Sequence, residues 1–307
     1  MRLAFSLVLL GCLTTSACSD RALHRFFRTQ TSPLVFAHRF GGGVEPEETI
    51  PTMLHAHERN PDAVLEFDVH ASADGVLVVI HDADVDRTTN GTGNVRDLTL
   101  AQLQALDAGY CATPNVGNGT AERGDCHSAD PSRFPFRGQG YRIATLQEVL
   151  AALPAGARYS VEAKAAGIEQ RVADALRATG RLDHLIAGAE SDDIAARIQA
   201  ALPEVASYYP TGAAKCLALS AKAGWDYAAC PHFDCFASPL SGAGLALDTK
   251  GILDHAHDDG VAVVYWTIND AATMERLFRL GADGIYTDYP DTAREVLARL
   301  RAQGVLK

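Results

Sequence analysis

The sequence is short of basic residues: 27 Lys and Arg stand against 38 Asp and Glu, a formal net charge of -11. Binding to nucleic acid needs Lys and Arg concentrated against phosphates, so no nucleic-acid partner is expected. A small anionic ligand stays open, provided that a local Arg or Lys or a bound metal ion offsets the negative field. Long apolar runs are missing too. The one run near the start, residues 3–13, is too short to cross a bilayer as a stable helix. Also missing is any Cys-x-x-Cys spacing among the seven cysteines, which argues against a zinc site. What the chain does have is 47% hydrophobic and 21% charged residues, enough for a full core. Its 307 residues fit two average domains or one α/β barrel, which commonly needs about 250 residues.

Met1-Arg2, the apolar run and the small residues 14–17 read as an export signal over residues 1–18, with polar Ser19-Asp20-Arg21 after it. Cys12 follows Leu-Leu-Gly and Cys18 follows Ser-Ala, so each is a candidate lipid-bearing first residue of a bacterial lipoprotein. The expectation is an exported protein, either free in the periplasm or attached to the membrane through a lipidated Cys. Seven cysteines in an exported chain suggest disulfides. Cys111 and Cys126 bracket a Gly/Asn/Pro-rich loop and are the first pair expected. Among Cys216, Cys230 and Cys235 one further bridge is expected, with one thiol left over.

Beyond the leader, short apolar runs at 34–37, 64–69, 159–163, 185–189, 205–209, 235–239, 261–268 and 284–288 read as strands. Helical periodicity occupies 49–60, 168–180, 192–202, 249–260, 271–281 and 292–303, several of these stretches ending at a Gly. Such alternation marks parallel βα units, and the strand count is that of a closed barrel. The fold expected over residues 33–307 is therefore α/β, a (β/α)8 TIM barrel. One run breaks the alternation: residues 76–80 follow the second strand after only Ala73-Asp74-Gly75, a link that forces a hairpin arm and not a crossover. A turn centred there places His81 roughly opposite Asp68. Residues 110–141, with many Gly, Asn, Pro and Asp, read as a small rim insertion, where loops shape a pocket.

Three carboxylates lie within strands, where charge is normally absent: Glu66 and Asp68 in Leu-Glu-Phe-Asp-Val, and Glu162 in Ser-Val-Glu-Ala-Lys. Alternation puts Glu66 and Asp68 on one face, and Glu162 with Lys164 likewise. In a barrel these faces point into the lumen or its mouth. Buried carboxylates so close together stay ionised only if a cation joins them, and one divalent ion, Ca2+ or Mg2+, suits three oxygen ligands. The plainer alternative is pairing with Lys164 or an Arg. Two histidines end strands, His38 in Phe-Ala-His-Arg-Phe-Gly-Gly and His81 in Val-Val-Ile-His-Asp. A facing pair of imidazoles suits hydrolysis by general acid and base. His55, His57, His255 and His257 fall in helical stretches and are expected to be solvated. Arg39 offers a planar donor fork for phosphate, and Gly41-Gly42-Gly43 would let backbone approach a ligand. Trp266, at the end of an apolar strand, is either a wall for the organic part of a substrate or plain core packing.

These residues and their surroundings resemble the glycerophosphodiester phosphodiesterases over residues 34–290. The resemblance rests on His38-Arg39 followed by Pro46-Glu47-Glu48-Thr49, on Glu66-Phe67-Asp68-Val69, and on Asp74-Gly75 leading to His81-Asp82 and Arg87-Thr88-Thr89. It continues through Asp97-Leu98-Thr99, the run from Thr145 to Leu150, Glu162-Ala163-Lys164, Trp266-Thr267-Ile268-Asn269 and the run from Gly281 to Pro290. The resemblance implies a barrel, a divalent metal, usually Ca2+ or Mg2+, and release of glycerol 3-phosphate and an alcohol from a small glycerophosphodiester. It makes His38 and His81 the acid/base pair and Glu66, Asp68 and Glu162 the metal ligands. Arg39 and Lys164 become phosphate contacts, Glu47 a site-organising carboxylate and Trp266 a wall for the glycerol moiety. Two departures stand out: Phe40 where the family usually has Gly, expected to narrow or reshape the pocket, and Glu48 where it usually has Asn. A phospholipase D-like enzyme acting on lysophospholipid or sphingolipid is the alternative within catalysis, and a surface binding protein on a degenerate barrel the alternative outside it.

Overall fold

The computed structural model describes residues 22–28, 33–114, 126, 130–224 and 230–306. The expected export leader, with Cys12 and Cys18, lies outside the described residues, as does most of the loop between Cys111 and Cys126. A short helix α1 (Arg25–Arg28) precedes strand β1 (Leu34–Ala37), helix α2 (Ile50–Arg59) and strand β2 (Val64–Ala71). An arm follows, containing β3 (Leu77–Val79), α3 (Leu100–Gln104) and β4 (Ala144–Thr145). The alternation then resumes with α4 (Leu146–Ala152), β5 (Arg158–Ala163), α5 (Glu169–Ala178), β6 (Leu185–Gly188), α6 (Asp192–Ala201), β7 (Ala206–Ser207), α7 (Thr211–Ala223) and β8 (Cys235–Ser238). A small hairpin, β9 (Ser241–Gly242) with β10 (Leu245–Ala246), precedes α8 (Lys250–Asp258), β11 (Ala262–Tyr265), α9 (Ala271–Leu280), β12 (Gly284–Thr287) and α10 (Pro290–Ala302).

Strands pair in the order β7-β6-β5-β2-β1-β12-β11-β8. Every pair along that path is parallel. A parallel bridge between Tyr208 and Cys235 joins the two ends, so the expected eight-stranded barrel forms. β7 is shorter than the apolar run that predicts it. Helices α4 and α7 have no counterpart among the expected stretches: α4 is only two turns long, and the alanines of α7 blur its periodicity.

Strand alternation sorts the barrel's side chains. Odd and even positions divide cleanly: Val35 and Ala37 pack outward against helices, while Leu34 and Phe36 join Val64, Ile186, Ala206, Ala262, Val264 and Tyr286 in the lumen. Phe26 and Phe27 of α1 belong to the same lumen cluster, and Phe36 stacks on Tyr286 with centroids 4.4 Å apart. Continuing each inward series toward the strands' C-terminal ends arrives at His38, Glu66 with Asp68, Glu162, Tyr208, Trp266 and Asp288. The charged residues are thus the top layer of a stack whose lower layers are mostly apolar, Ser160 and Arg158 of β5 apart, at the face where barrel sites form.

β2 runs past the barrel rim, and there it pairs antiparallel with β3, which pairs with β4. Val69 faces Val79 in this ladder, and the Ile80 amide donates to the Asp68 carbonyl. The residue opposite Asp68 is therefore Ile80, and His81 lies one position further on than the turn geometry suggested. Val78, Ile80, Val85, Val95, Leu103, Ala108 and Ile143 form a small core of their own under this arm. Cys111 is bonded to Cys126 and Cys216 to Cys230, leaving Cys235 as a buried thiol at the foot of β8. In the rim insertion the Arg137 guanidinium lies over the rings of Tyr110 and Phe134 and donates to the Tyr110 and Cys126 carbonyls.

Candidate active site

A cavity of about 590 Å3 opens at the C-terminal ends of the strands. His38, Arg39, Glu66, Asp68, His81, Glu162, Lys164 and Trp266 all line it. Of the residues given a role in the site from sequence, Glu47 stands behind this wall.

Each histidine carries a carboxylate on the same ring nitrogen. His38 Nδ1 lies 2.7 Å from Asp288 Oδ1, and His81 Nδ1 lies 2.7 Å from Asp82 Oδ1. A carboxylate oxygen only accepts, so Nδ1 holds a proton in both rings, and in the neutral form of each ring Nε2 presents a lone pair. The orienting carboxylates are themselves held. Asn269 donates to Asp288 Oδ2 over 2.7 Å and accepts from the Asp288 amide over 3.0 Å. Arg87 Nε donates to Asp82 Oδ2. Neither Asp82 nor Asp288 was assigned a role from sequence, although both stand in the quoted motifs; adjacency to His81 and lumen parity were the available signals. His70 was also missed. It follows Glu66 and Asp68 in the inward series, is buried, and donates from Nε2 to the His81 carbonyl over 3.1 Å. Burial pushes its pKa down, and the hydrogen bond to His81 helps to fix the arm.

The acidic side of the cavity is lined by buried Glu66 and Asp68 and half-buried Glu162, with buried Glu48 behind them. Glu66 and Asp68 lie on β2, Glu162 pairs with Asp68 across the β2–β5 ladder, and Glu48, from the loop after β1, accepts from the Asp68 amide over 3.4 Å. Glu66 Oε2 accepts from the Arg39 amide over 2.7 Å. Lys164 Nζ lies 3.3 Å from Asp68 and 3.1 Å from Glu162, between the two. Burial raises the pKa of Glu66 and of Glu48, and their negative neighbours raise both further. Burial acts on Asp68 in the same direction, but the Lys164 ammonium prevails and keeps it below the usual carboxylate range. Neither Asp68 oxygen nor Glu48 Oε1 has a hydrogen bond. As the side chains stand, no three His, Cys, Asp or Glu among the described residues are grouped for direct ligation, Lys164 holding the space between Asp68 and Glu162. In donor chemistry the set nonetheless fits a hard cation: all oxygen, buried, and with acceptors left over.

Glu47 organises the arginines. Its Oε1 lies 3.2 Å from Arg39 Nη1 and 2.7 Å from Arg87 Nη2, and its Oε2 accepts from Arg87 Nη1 over 2.9 Å. Burial penalises its charge, yet Arg39 and Arg87 overcome that penalty and hold the carboxyl at about 2. One carboxylate thereby ties Arg39, beside the cavity, to Arg87, which steadies Asp82 and so His81.

Three expectations need correction. Phe40 does not narrow the pocket: it is fully buried, outside the cavity lining, and packs against Phe67 with centroids 5.3 Å apart. Its φ of 64°, a left-handed conformation that favours Gly, accounts for the family's usual residue there. The glycine run approaches the protein itself, not a ligand, since a Cβ on Gly43 would lie 2.6 Å from the Tyr289 ring and one on Gly42 2.8 Å from Glu47 Cβ. His255 and His257 are half-buried and partnered, His257 with Asp283 over 2.7 Å and His255 with Ser220 over 3.0 Å.

Comparison with known proteins bears on the family and the fold. The model of the glycerophosphoryl diester phosphodiesterase family matches residues 38–292. A glycerophosphodiester phosphodiesterase of Bacillus subtilis (strain 168) is 29% identical, the match covering 86% of each chain. The glycerophosphoryl diester phosphodiesterase domain of a Mycobacterium tuberculosis protein superposes with a TM-score of 0.72 at 20% identity, over 87% of this chain and 99% of that one. An Oleispira antarctica phosphodiesterase, solved with its product sn-glycerol-3-phosphate, superposes with a TM-score of 0.62 at 22% identity, over 87% of this chain and 97% of that one. The motifs, the barrel and the match across most of the sequence together make this chain a member of the glycerophosphoryl diester phosphodiesterase family.

Proposed function

We propose that the protein hydrolyses glycerophosphodiesters to glycerol 3-phosphate and an alcohol, with one divalent metal ion, Ca2+ or Mg2+, and with His38 and His81 as the acid/base pair. The observation that carries this reading is the matched pair of imidazoles, each with a carboxylate on Nδ1, lining the same cavity as the buried acids. Glu66, Asp68 and Glu162 are the residues that would hold the ion; when bound, it supplies positive charge to a phosphodiester's anionic oxygens. Arg39 is the guanidinium for the phosphate, kept in place by Glu47. Lys164 is the second cationic contact, and in the absence of substrate it neutralises Asp68 and Glu162. Trp266 is the wall for the glycerol moiety.

The reaction asks for one proton to leave the nucleophile, water or the glycerol hydroxyl, and for one to reach the departing alcohol oxygen. Nε2 of either ring can take or return it, because Asp288 and Asp82 keep the proton of the other nitrogen in place. The product held by the Oleispira antarctica phosphodiesterase is the one this reading expects. His38→Ala and His81→Ala should each lower glycerol 3-phosphate release from glycerophosphocholine by ~100-fold or more, while calorimetric titration with Ca2+ or Mg2+ stays as in the parent. Glu66→Gln and Asp68→Asn should lose the calorimetric signal. Full turnover in both histidine variants would remove the two-histidine mechanism, and undiminished turnover after exhaustive chelation would remove the metal.

A further inference from the structure

One departure from the family's motifs has no place in the reaction as proposed: Glu48, where Asn is usual. Its φ is 61°, a left-handed backbone that Asn adopts more readily than Glu, so the turn itself gives no reason for the exchange. The residue is 4% exposed and stands outside the cavity lining, behind Asp68. Its backbone is fixed, because the Glu48 amide donates to the Arg39 carbonyl over 3.3 Å while the Arg39 amide donates to Glu66. One carboxylate oxygen, Oε2, accepts from the Asp68 amide; the other, Oε1, has no hydrogen bond, and neither has either oxygen of Asp68. An Asn carboxamide brings donors to such a place, whereas an ionised Glu brings acceptors alone. The exchange therefore adds negative charge and a spare oxygen beside an acid that already has two. Buried acceptors left over in this number answer to a cation.

We infer that Glu48 is a fourth carboxylate of the cation site and that it sets this site for Ca2+ over Mg2+. This rests on the metal part of the proposed function and narrows it. Lys164 lies between Asp68 and Glu162 and offsets part of the charge that a cation would meet there. A fourth acid behind Asp68 restores that attraction. The two ions use such a set differently: Ca2+ takes about six to eight oxygens in flexible arrangements, whereas Mg2+ demands near-ideal octahedral geometry and keeps several of its waters. Oxygens buried away from the cavity's water thus serve the ion that sheds its hydration, and charge added there favours Ca2+ the more.

Calorimetric titration with Ca2+ and, separately, with Mg2+ reads the cation without turnover, in the parent, Glu48→Asn and Glu48→Gln. Glu48→Asn suits the left-handed backbone and Glu48→Gln keeps the size, so a loss of fold in one leaves the other to decide. Because ligand charge moves Ca2+ affinity by decades, each folded variant should bind Ca2+ ~tenfold or more weakly than the parent, with a smaller loss for Mg2+. The rise in melting temperature at a fixed Ca2+ concentration should shrink in step. Ca2+ affinity as in the parent, or equal losses for the two ions, in a folded variant would overturn the inference alone and leave the three-acid site standing. A parent that gives no calorimetric signal with either ion would overturn the inference together with the metal of the proposed function.

Discussion

Replacing Glu47 by Gln keeps the size of the side chain and removes the charge that two half-buried guanidinium groups share. The carboxyl falls from an ordinary 4.5 to about 2 in the fold, and that displacement corresponds to roughly 3 kcal/mol of preference for the ionised form. The same order follows from the cost of breaking a buried ion pair, ~3–5 kcal/mol. In a domain of this size a loss of that order lowers the melting temperature by ~6–12 °C. The pH dependence carries the sign. A carboxyl with a depressed native pKa contributes its full stabilisation above the unfolded value of 4.5 and loses it as pH falls through about 2. Thermal unfolding of parent and Glu47→Gln followed by circular dichroism should therefore show a constant gap from neutral pH down to about pH 5, closing at lower pH. Because the same carboxylate holds Arg39, kcat/KM should fall as well. A melting temperature within about 2 °C of the parent at neutral pH would refute the argument that this charge knits the two arginines together.

Phe40→Ala should cost ~3–5 kcal/mol of stability, as expected for a fully buried Phe, and leave the ranking of substrates by kcat/KM unchanged; an altered ranking would show that Phe40 bears on the pocket. The hydrogen bond to Asp283 raises the pKa of His257 against the cost of burial, so its stabilisation is complete below the ordinary 6.5 and is lost as pH rises through the elevated native value. His257→Gln should accordingly narrow its deficit against the parent between about pH 6 and pH 9 in thermal unfolding, and a deficit that widens over that range would contradict the pairing. Cys216→Ser/Cys230→Ser opens a link of sequence separation 14 that ties α7 to the segment before β8, and chemical denaturation should register a loss of about 3 kcal/mol; no loss would mean that α7 is held by its packing alone.

Strand parity made the barrel and its upper layer legible before any coordinates. A charge at every second position of an apolar strand has only one face to occupy, which is why Glu66, Asp68 and Glu162 were readable from the sequence. The residues that escaped are of two kinds. Asp82, Arg87, Asp288 and Asn269 act by touching other side chains across gaps in sequence of up to 250 residues, and no periodicity records such contacts. The destination of Phe40, and of the glycines beside it, depended on three consecutive left-handed residues, Arg39, Phe40 and Gly41, at φ 50°, 64° and 86°; a turn of that shape sends side chains where neither helical nor strand alternation would. The one-residue error at His81 has the same root, since counting from the middle of a turn fixes register only to within a residue.

The arm beyond the barrel rim has its own small apolar nucleus, and His81 follows directly on one of its members, Ile80. One histidine of the proposed acid/base pair is thereby mounted beside a different apolar nucleus from the other. Small nuclei open at lower free energy than the body they lean on. On gentle warming, turnover should vanish while the far-ultraviolet circular dichroism of the barrel persists, and amide exchange should rise first around residues 78–95. Barrel integrity alone would then be a poor gauge of how long the catalyst lasts.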